Sequence, residues 1–206
     1  MRKVAWAAVL LFAACYPGGA ETVEDLDSVT TNHDASASFS TLRTYALPDT
    51  IQEVASRHGQ PLPMDHSYDT RILARVAANL DAIGLRRVDP TTEKADVDVL
   101  VTFTATRYTE YTSYSFSDMW PGWAGFNGFD GSWGIYYPYA TASATILDAG
   151  SLRMEMLDQR TANPSTMQLT SIWTASVDGV LAGDKESIVQ RIEKGIDQAF
   201  AQSSYL

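Results

Sequence analysis

Apolar positions along this chain recur with two periods, and each change of period marks a change of element. Over residues 97–108, Val97, Val99, Val101, Phe103 and Ala105 alternate with Asp98, Thr102, Thr104 and Thr106, which predicts a strand with one apolar and one wet face. Residues 150–156 alternate again, with Leu152, Met154 and Met156 inward. Residues 168–178 put Leu169, Trp173, Ala175 and Val177 on one side, and Asn163-Pro164-Ser165 between them supplies a turn, so the pair predicts a hairpin. Trp173 reads as a core anchor. Residues 39–47 form a shorter alternation stopped by Pro48-Asp49, the expected first strand of the domain.

Three-and-four spacing replaces alternation in two places. Ile72, Leu73, Val76, Leu80 and Ile83 predict a helix over 67–83, with Gly84 where a chain leaves a helix. Ile188, Ile192, Ile196 and Phe200 predict a second over 185–201, behind an Asp184 N-cap. Residues 85–88 make a short extended piece. Together these elements predict an α+β fold: a single two-layer domain whose sheet is mainly antiparallel, with two helices packed on one face.

Residues 108–139 fit neither period. They hold 12 of the chain's 22 aromatic residues and five glycines. Exposed, such rings offer flat amphipathic area at low entropic cost, suited to a protein partner, a sugar ring or the membrane interface. The candidate binding surface is Trp120, Trp123, Phe126, Phe129, Trp133 and Tyr136. The alternative is that the rings fold back over the sheet's second face, since large exposed apolar patches are rare on soluble monomers.

The N-terminus changes the picture most. Arg2 and Lys3 precede an unbroken apolar run over residues 4–14, too short to span a bilayer but long enough for a secretory leader. Phe12-Ala13-Ala14-Cys15 resembles the lipobox of bacterial lipoproteins, with Phe where Leu is usual. That resemblance implies a signal peptide over 1–14 and acylation of Cys15. Two or more acyl chains anchor a protein stably. A plain signal peptide cut near Ala20, discarding Cys15, is the alternative. Tyr16 rather than Asp follows the cysteine; by the sorting rule of enteric bacteria this implies the outer membrane, with the domain in the periplasm. Residues 16–37 are small, polar and acidic and are expected to form a tether of roughly 25–30 Å before a domain spanning 38–206.

Composition narrows the chemistry. The chain of 206 residues has a formal charge of −10, and loss of the leader leaves 13 basic against 25 acidic residues. Such a surface repels phosphate backbones, so nucleic acid is not an expected partner. Cys15 is the single cysteine, so no intramolecular disulfide forms. The three histidines, His33, His58 and His66, have no metal-ligand spacing. Asp96 and Asp98 share a strand face, and Asn127 and Asp130 sit in the glycine-rich stretch without EF-hand spacing. Solvated carboxylates at a sheet margin explain the first pair better than acid–base work does. No P-loop, dinucleotide fingerprint or nucleophile elbow is present, so neither a catalytic residue nor a cofactor is expected.

Five segments in this order carry a family resemblance: 39–45, 80–85, 95–101, 150–158 and 172–179, the last leading into the helix at Ile188. The chain resembles the bacterial lipoproteins of domain-of-unknown-function family 4136, whose members tend to carry a Tyr/Trp/Gly-rich insert. The resemblance implies an envelope lipoprotein and assigns no catalytic residue. The expected role is therefore non-enzymatic: a lipid-anchored domain that contacts an envelope protein, or alternatively a glycan (peptidoglycan or lipopolysaccharide) through its aromatic insert.

Overall fold

The computed structural model of the chain describes residues 27–53, 65–89, 97–106, 110–111, 133–139, 146–147, 151–179 and 184–206. In chain order its elements are β1 (Ser28–His33), β2 (Thr44–Ala46), β3 (Gln52–Glu53), α1 (Asp69–Ala82), β4 (Arg86–Arg87), β5 (Val99–Thr106), β6 (Glu110–Tyr111), β7 (Gly134–Tyr136), β8 (Ile146–Leu147), β9 (Ser151–Asn163), β10 (Gln168–Asp178) and α2 (Lys185–Ala201). Eight strands form one sheet in the order β1-β10-β9-β5-β2-β4, with β3 beside β5 and β7 beside β10; β6 and β8 pair separately. The long pairings β1/β10, β10/β9 and β9/β5 are antiparallel, while the short strands β2, β3, β4 and β7 all join in parallel. Both helices lie on one face, as the α+β reading requires.

The hairpin β9/β10 dominates the sheet. Its turn is set by Asn163, whose Oδ1 accepts from the Ser165 amide at 2.9 Å, an Asx turn. On the helix side, Val101, Phe103, Met154, Met156, Trp173 and Ala175 pack against Ile72, Val76, Leu80, Ile192 and Ile196. Trp173 is fully buried; its Nε1 donates to Ser203 Oγ at 3.0 Å and its ring lies 5.3 Å from that of Phe200. Burial of the whole ring is tolerable because the indole N–H has that partner.

Both helices end as their sequences indicate. Asp184 caps α2 by accepting from the Glu186 and Ser187 amides, each at 3.1 Å. A 3₁₀ turn at His66–Tyr68 precedes α1, with Asp65 accepting from the Ser67 amide. At the other end Gly84 adopts φ +92°, its amide reaches Asp81 O and the Leu85 amide reaches Leu80 O. These two bonds make a Schellman closure, which needs a left-handed residue at that place. Arg71 bridges to Glu186 and Glu193, and Arg75 to Asp197, lacing α1 to α2 across an exposed seam.

Four expectations are corrected. Residues 28–33, read as tether, form the edge strand β1. Val29 is their one large apolar residue, too little to show an alternation, yet their register with β10 runs from Ser28↔Asp178 to His33↔Trp173. The segment 39–47 is a 3₁₀ turn followed by three strand residues rather than one long strand. Leu169 leaves the Trp173 face, because a register shift between Ser171 and Trp173 inverts the phase; it packs with Val97, Leu100 and Leu157 on the other side. That other side is not wet. Thr102, Thr104, Thr174 and Ser176 are all buried.

Registers place β1's start, the ends of β5 and β10, the start of β9 and the N-termini of both helices at one pole. Asp27 is fixed there by Arg191 of α2, whose Nε donates to Asp27 Oδ2 at 2.7 Å. The C-terminus lies at the opposite pole, where Tyr205 stacks on His33 at 3.7 Å between ring centroids.

Helix α2 crosses β10 closely at Gly195, where an added Cβ would overlap the Val177 side chain. Gly195→Ala is therefore expected to destabilise the domain by roughly 1–2 kcal/mol in urea unfolding, overpacking outweighing the better helix propensity of alanine. Ser203→Ala strands the Trp173 indole N–H and is expected to cost about 1–3 kcal/mol in the same assay.

Candidate functional site

The sheet's second face carries a polar cluster at its centre. Alternation along β9 sends Leu152, Met154 and Met156 to the helices, so Arg153 and Glu155 point the other way. The antiparallel registers align Thr102–Glu155–Thr174 and Thr104–Arg153–Ser176 across β5, β9 and β10. Arg153 and Glu155 form an ion pair in which both side chains are only 2% exposed.

Residues 133–139 lie over this face. Strand β7 joins β10 through Gly134↔Gln168 and Ile135↔Leu169. The Tyr137 hydroxyl donates to Glu155 Oε1 at 2.9 Å, and the Arg153 guanidinium sits 5.6 Å from the centre of the Tyr137 ring. The Tyr139 and Ser171 hydroxyls share a hydrogen bond of 2.7 Å. Burial, then the Glu155 carboxylate, raises the Tyr137 pKa far above that of a free phenol. Burial also pushes Tyr139 up to about 12. Among the described residues, Glu155 Oε2, Thr102 Oγ1 and Ser151 Oγ have no hydrogen-bond partner. A buried ion pair contributes little net stability when intact, but losing one partner is costly. The cluster holds residues 133–139 against the sheet.

A second feature lies at the pole where β1 begins. Between the first turns of α1 and α2 and the sheet end is a slot of about 190 Å³. Ile51, Tyr68, Ile72, Ala105, Leu152 and Ile188 supply its apolar walls, and its charged lining residues are Asp65, Asp69 and Lys185. Lys185 donates to Asp65 at the mouth, and this holds the Asp65 carboxyl well below the usual carboxylate range. Asp69 is buried and accepts from the Ile51 amide at 2.9 Å and from His66 Nδ1 at 2.8 Å.

The residues singled out from sequence separate. Trp133 is only 4% exposed and packs with Leu100, Leu157 and Leu169, so it is no part of a binding surface. Tyr136 is 51% exposed, as a surface ring should be. Trp120, Trp123, Phe126 and Phe129 lie outside the described residues, as do Cys15, His58, Asp96, Asn127 and Asp130. Asp98 clamps two strands: its carboxylate accepts from the Arg43 and Thr44 amides at 2.7 and 3.2 Å, while Thr44 Oγ1 accepts from the Asp98 amide. His33 stacks and His66 pairs with Asp69, and no group of three potential metal ligands converges among the described residues. Sequence reasoning missed Arg153, Glu155, Tyr137 and Tyr139. Its available signal was two opposite charges two apart, set between Leu152, Met154 and Met156.

This architecture defines a class: a single α+β domain entered through an edge strand, with helices on one face of the sheet and an aromatic segment on the other. Within that class the chain belongs to the family described as "Domain of unknown function (DUF4136)", whose profile matches residues 29–203. The match begins inside β1, in agreement with the corrected domain start. A DUF4136 family protein from Bacteroides thetaiotaomicron has a similar structure, with 26% identity and a TM-score of 0.64 over 87% of this chain and 97% of that one. Looser likenesses link the chain to a PelC dodecamer from Paraburkholderia phytofirmans (9% identity, 84% and 96% coverage, TM-score 0.38) and to a PDZ domain protein from Parabacteroides distasonis (15%, 82% and 35%, 0.39). Neither bears on function. No curated protein matches the chain.

Arg153→Met leaves the Glu155 carboxylate buried without its cation and is expected to cost about 3–5 kcal/mol, while Arg153→Met with Glu155→Leu recovers most of that loss. Urea unfolding of the four-member cycle checks it. The fold holds the two tyrosines neutral, so their contribution is complete below pH 10 and is lost as pH rises through the folded value. Stability is thus expected to fall between pH 10 and 12, with a shallower fall in Tyr139→Phe.

Proposed function

We propose that the chain is a lipoprotein of the outer membrane, anchored by acyl groups on Cys15, whose periplasmic domain works by binding an envelope protein rather than by catalysis. The observation that carries this reading is the leader and its cysteine, together with the place where the domain takes over. Only twelve positions along the chain separate Cys15 from Asp27. Arg191 then fixes Asp27 to α2. On this reading the pole where β1 begins is the part of the domain nearest the anchor along the chain.

The carboxylates support a binding role over chemistry. Asp65, Asp98 and Asp184 accept backbone amides, Asp69 an amide and His66, and Glu155 a tyrosine hydroxyl. Each is engaged in holding the fold. Tyr136, exposed beside the closed second face, is the described ring best placed to meet a partner.

Glycan binding by the insert is the second reading, and it rests on the same exposed Tyr136. Burial of Trp133 removes one of its six candidate rings.

Cys15→Ser is expected to move the protein from the membrane fraction to the soluble periplasm. Mass spectrometry of the wild-type N-terminus is expected to show an acylated residue 15. A mature chain beginning downstream of Cys15 would overturn the reading. A photo-crosslinker at position 136 is expected to capture an envelope protein; capture of peptidoglycan or lipopolysaccharide instead would favour the glycan reading.

A further inference from the structure

The apolar slot opens at the pole from which the N-terminal segment leaves. This follows from register alone. Ala105 and Leu152, which pair across β5 and β9 and line the slot, stand at the same sheet end as the Ser28↔Asp178 pair that begins β1. With the anchor proposed above, that pole faces the bilayer surface.

The slot's volume of about 190 Å³ exceeds the ~150 Å³ of an engineered dry cavity that takes benzene. It has room for the end of one alkyl chain. Its lining decides the head group. Among the described residues two carboxylates, Asp65 at the mouth and Asp69 bonded to the Ile51 amide and His66, stand with one ammonium, Lys185, in a chain of formal charge −10. The Asp65–Lys185 pair is exposed on both sides, 43% and 70%, so it is held weakly and is exchangeable. An incoming ammonium can replace Lys185 beside Asp65, whereas an incoming carboxylate would meet Asp65 and Asp69 as like charges.

We propose that this slot binds the tail of a single-chain amphiphile whose head is an ammonium group. Tail burial between Tyr68, Ile72, Leu152 and Ile188 supplies the affinity, because each methylene removed from water adds to it. The carboxylates supply the choice of head. Position at the bilayer-facing pole rests on the anchor reading; the binding chemistry does not.

The test is a titration of the mature chain carrying Cys15→Ser with octylammonium and with octanoate, followed by amide chemical shifts. The expected result is saturable octylammonium binding, at least tenfold tighter than octanoate, with shifts centred on Ala105, Leu152 and Ile188. Ile188→Trp, which fills the mouth, is expected to weaken octylammonium at least tenfold. Ile188→Phe serves the same purpose should the larger ring prevent folding. Equal affinity for the two heads, shifts confined to another region, or binding unchanged in the filled variants would overturn the proposal. Because the titrated chain has no lipid, a failed titration leaves the anchor untouched, and an unacylated native N-terminus leaves the titration untouched.

Discussion

Residues 151–158 of strand β9 are buried on both faces, and the rest of the molecule follows from how each face is satisfied. Toward the helices it presents Leu152, Met154 and Met156 to an apolar core that also takes Trp173, Val76 and Ile196. Toward the other side it presents Arg153 and Glu155, which cannot be left unpaired away from water without a large penalty. They pair with each other, and Tyr137 completes part of the remaining bonding. The charged pair is thus the physical reason that residues 133–139 have a defined place. A sheet with two helices on one face would otherwise present a second face to solvent.

The same arrangement separates two jobs. Trp133, Ile135, Tyr137 and Tyr139 belong to the fold, closing the sheet where β7 meets β10. Tyr136, one residue out of phase with Tyr137, is released to the surface by strand alternation. Exposure therefore attaches to one phase of residues 133–139, not to their aromatic content as a whole. At the pole where β1 begins, the Asp27–Arg191 pair gives the N-terminal segment a fixed point of departure.

Much of the helix side was legible in the sequence. Three-and-four spacing with Asp184 and Gly84 as end signals located both helices to within two residues, because capping and periodicity are local properties. Alternation found β5, β9 and β10 for the same reason. The failures were non-local. Strand β1 has no amphipathic pattern to read, since Ser28–His33 is held chiefly by backbone pairing with β10. Leu169 was placed on the wrong face because a bulge cannot be seen in a period-two count. Arg153 and Glu155 looked like ordinary wet-face residues, and only the register that sets them beneath Tyr137 shows otherwise. Family membership was legible too, through the order of five modest segments rather than through any single motif.

Thiol labelling tests most directly whether the second face is closed. Thr104 lies beside Arg153 on that face and is only 4% exposed. In a chain carrying Cys15→Ser and Thr104→Cys, the closed face predicts that the new thiol reacts far more slowly than a free thiol, at a rate that rises as urea promotes opening. Labelling at the rate of a free thiol in native buffer would contradict it, leaving a wet face and an aromatic segment that does not cover it.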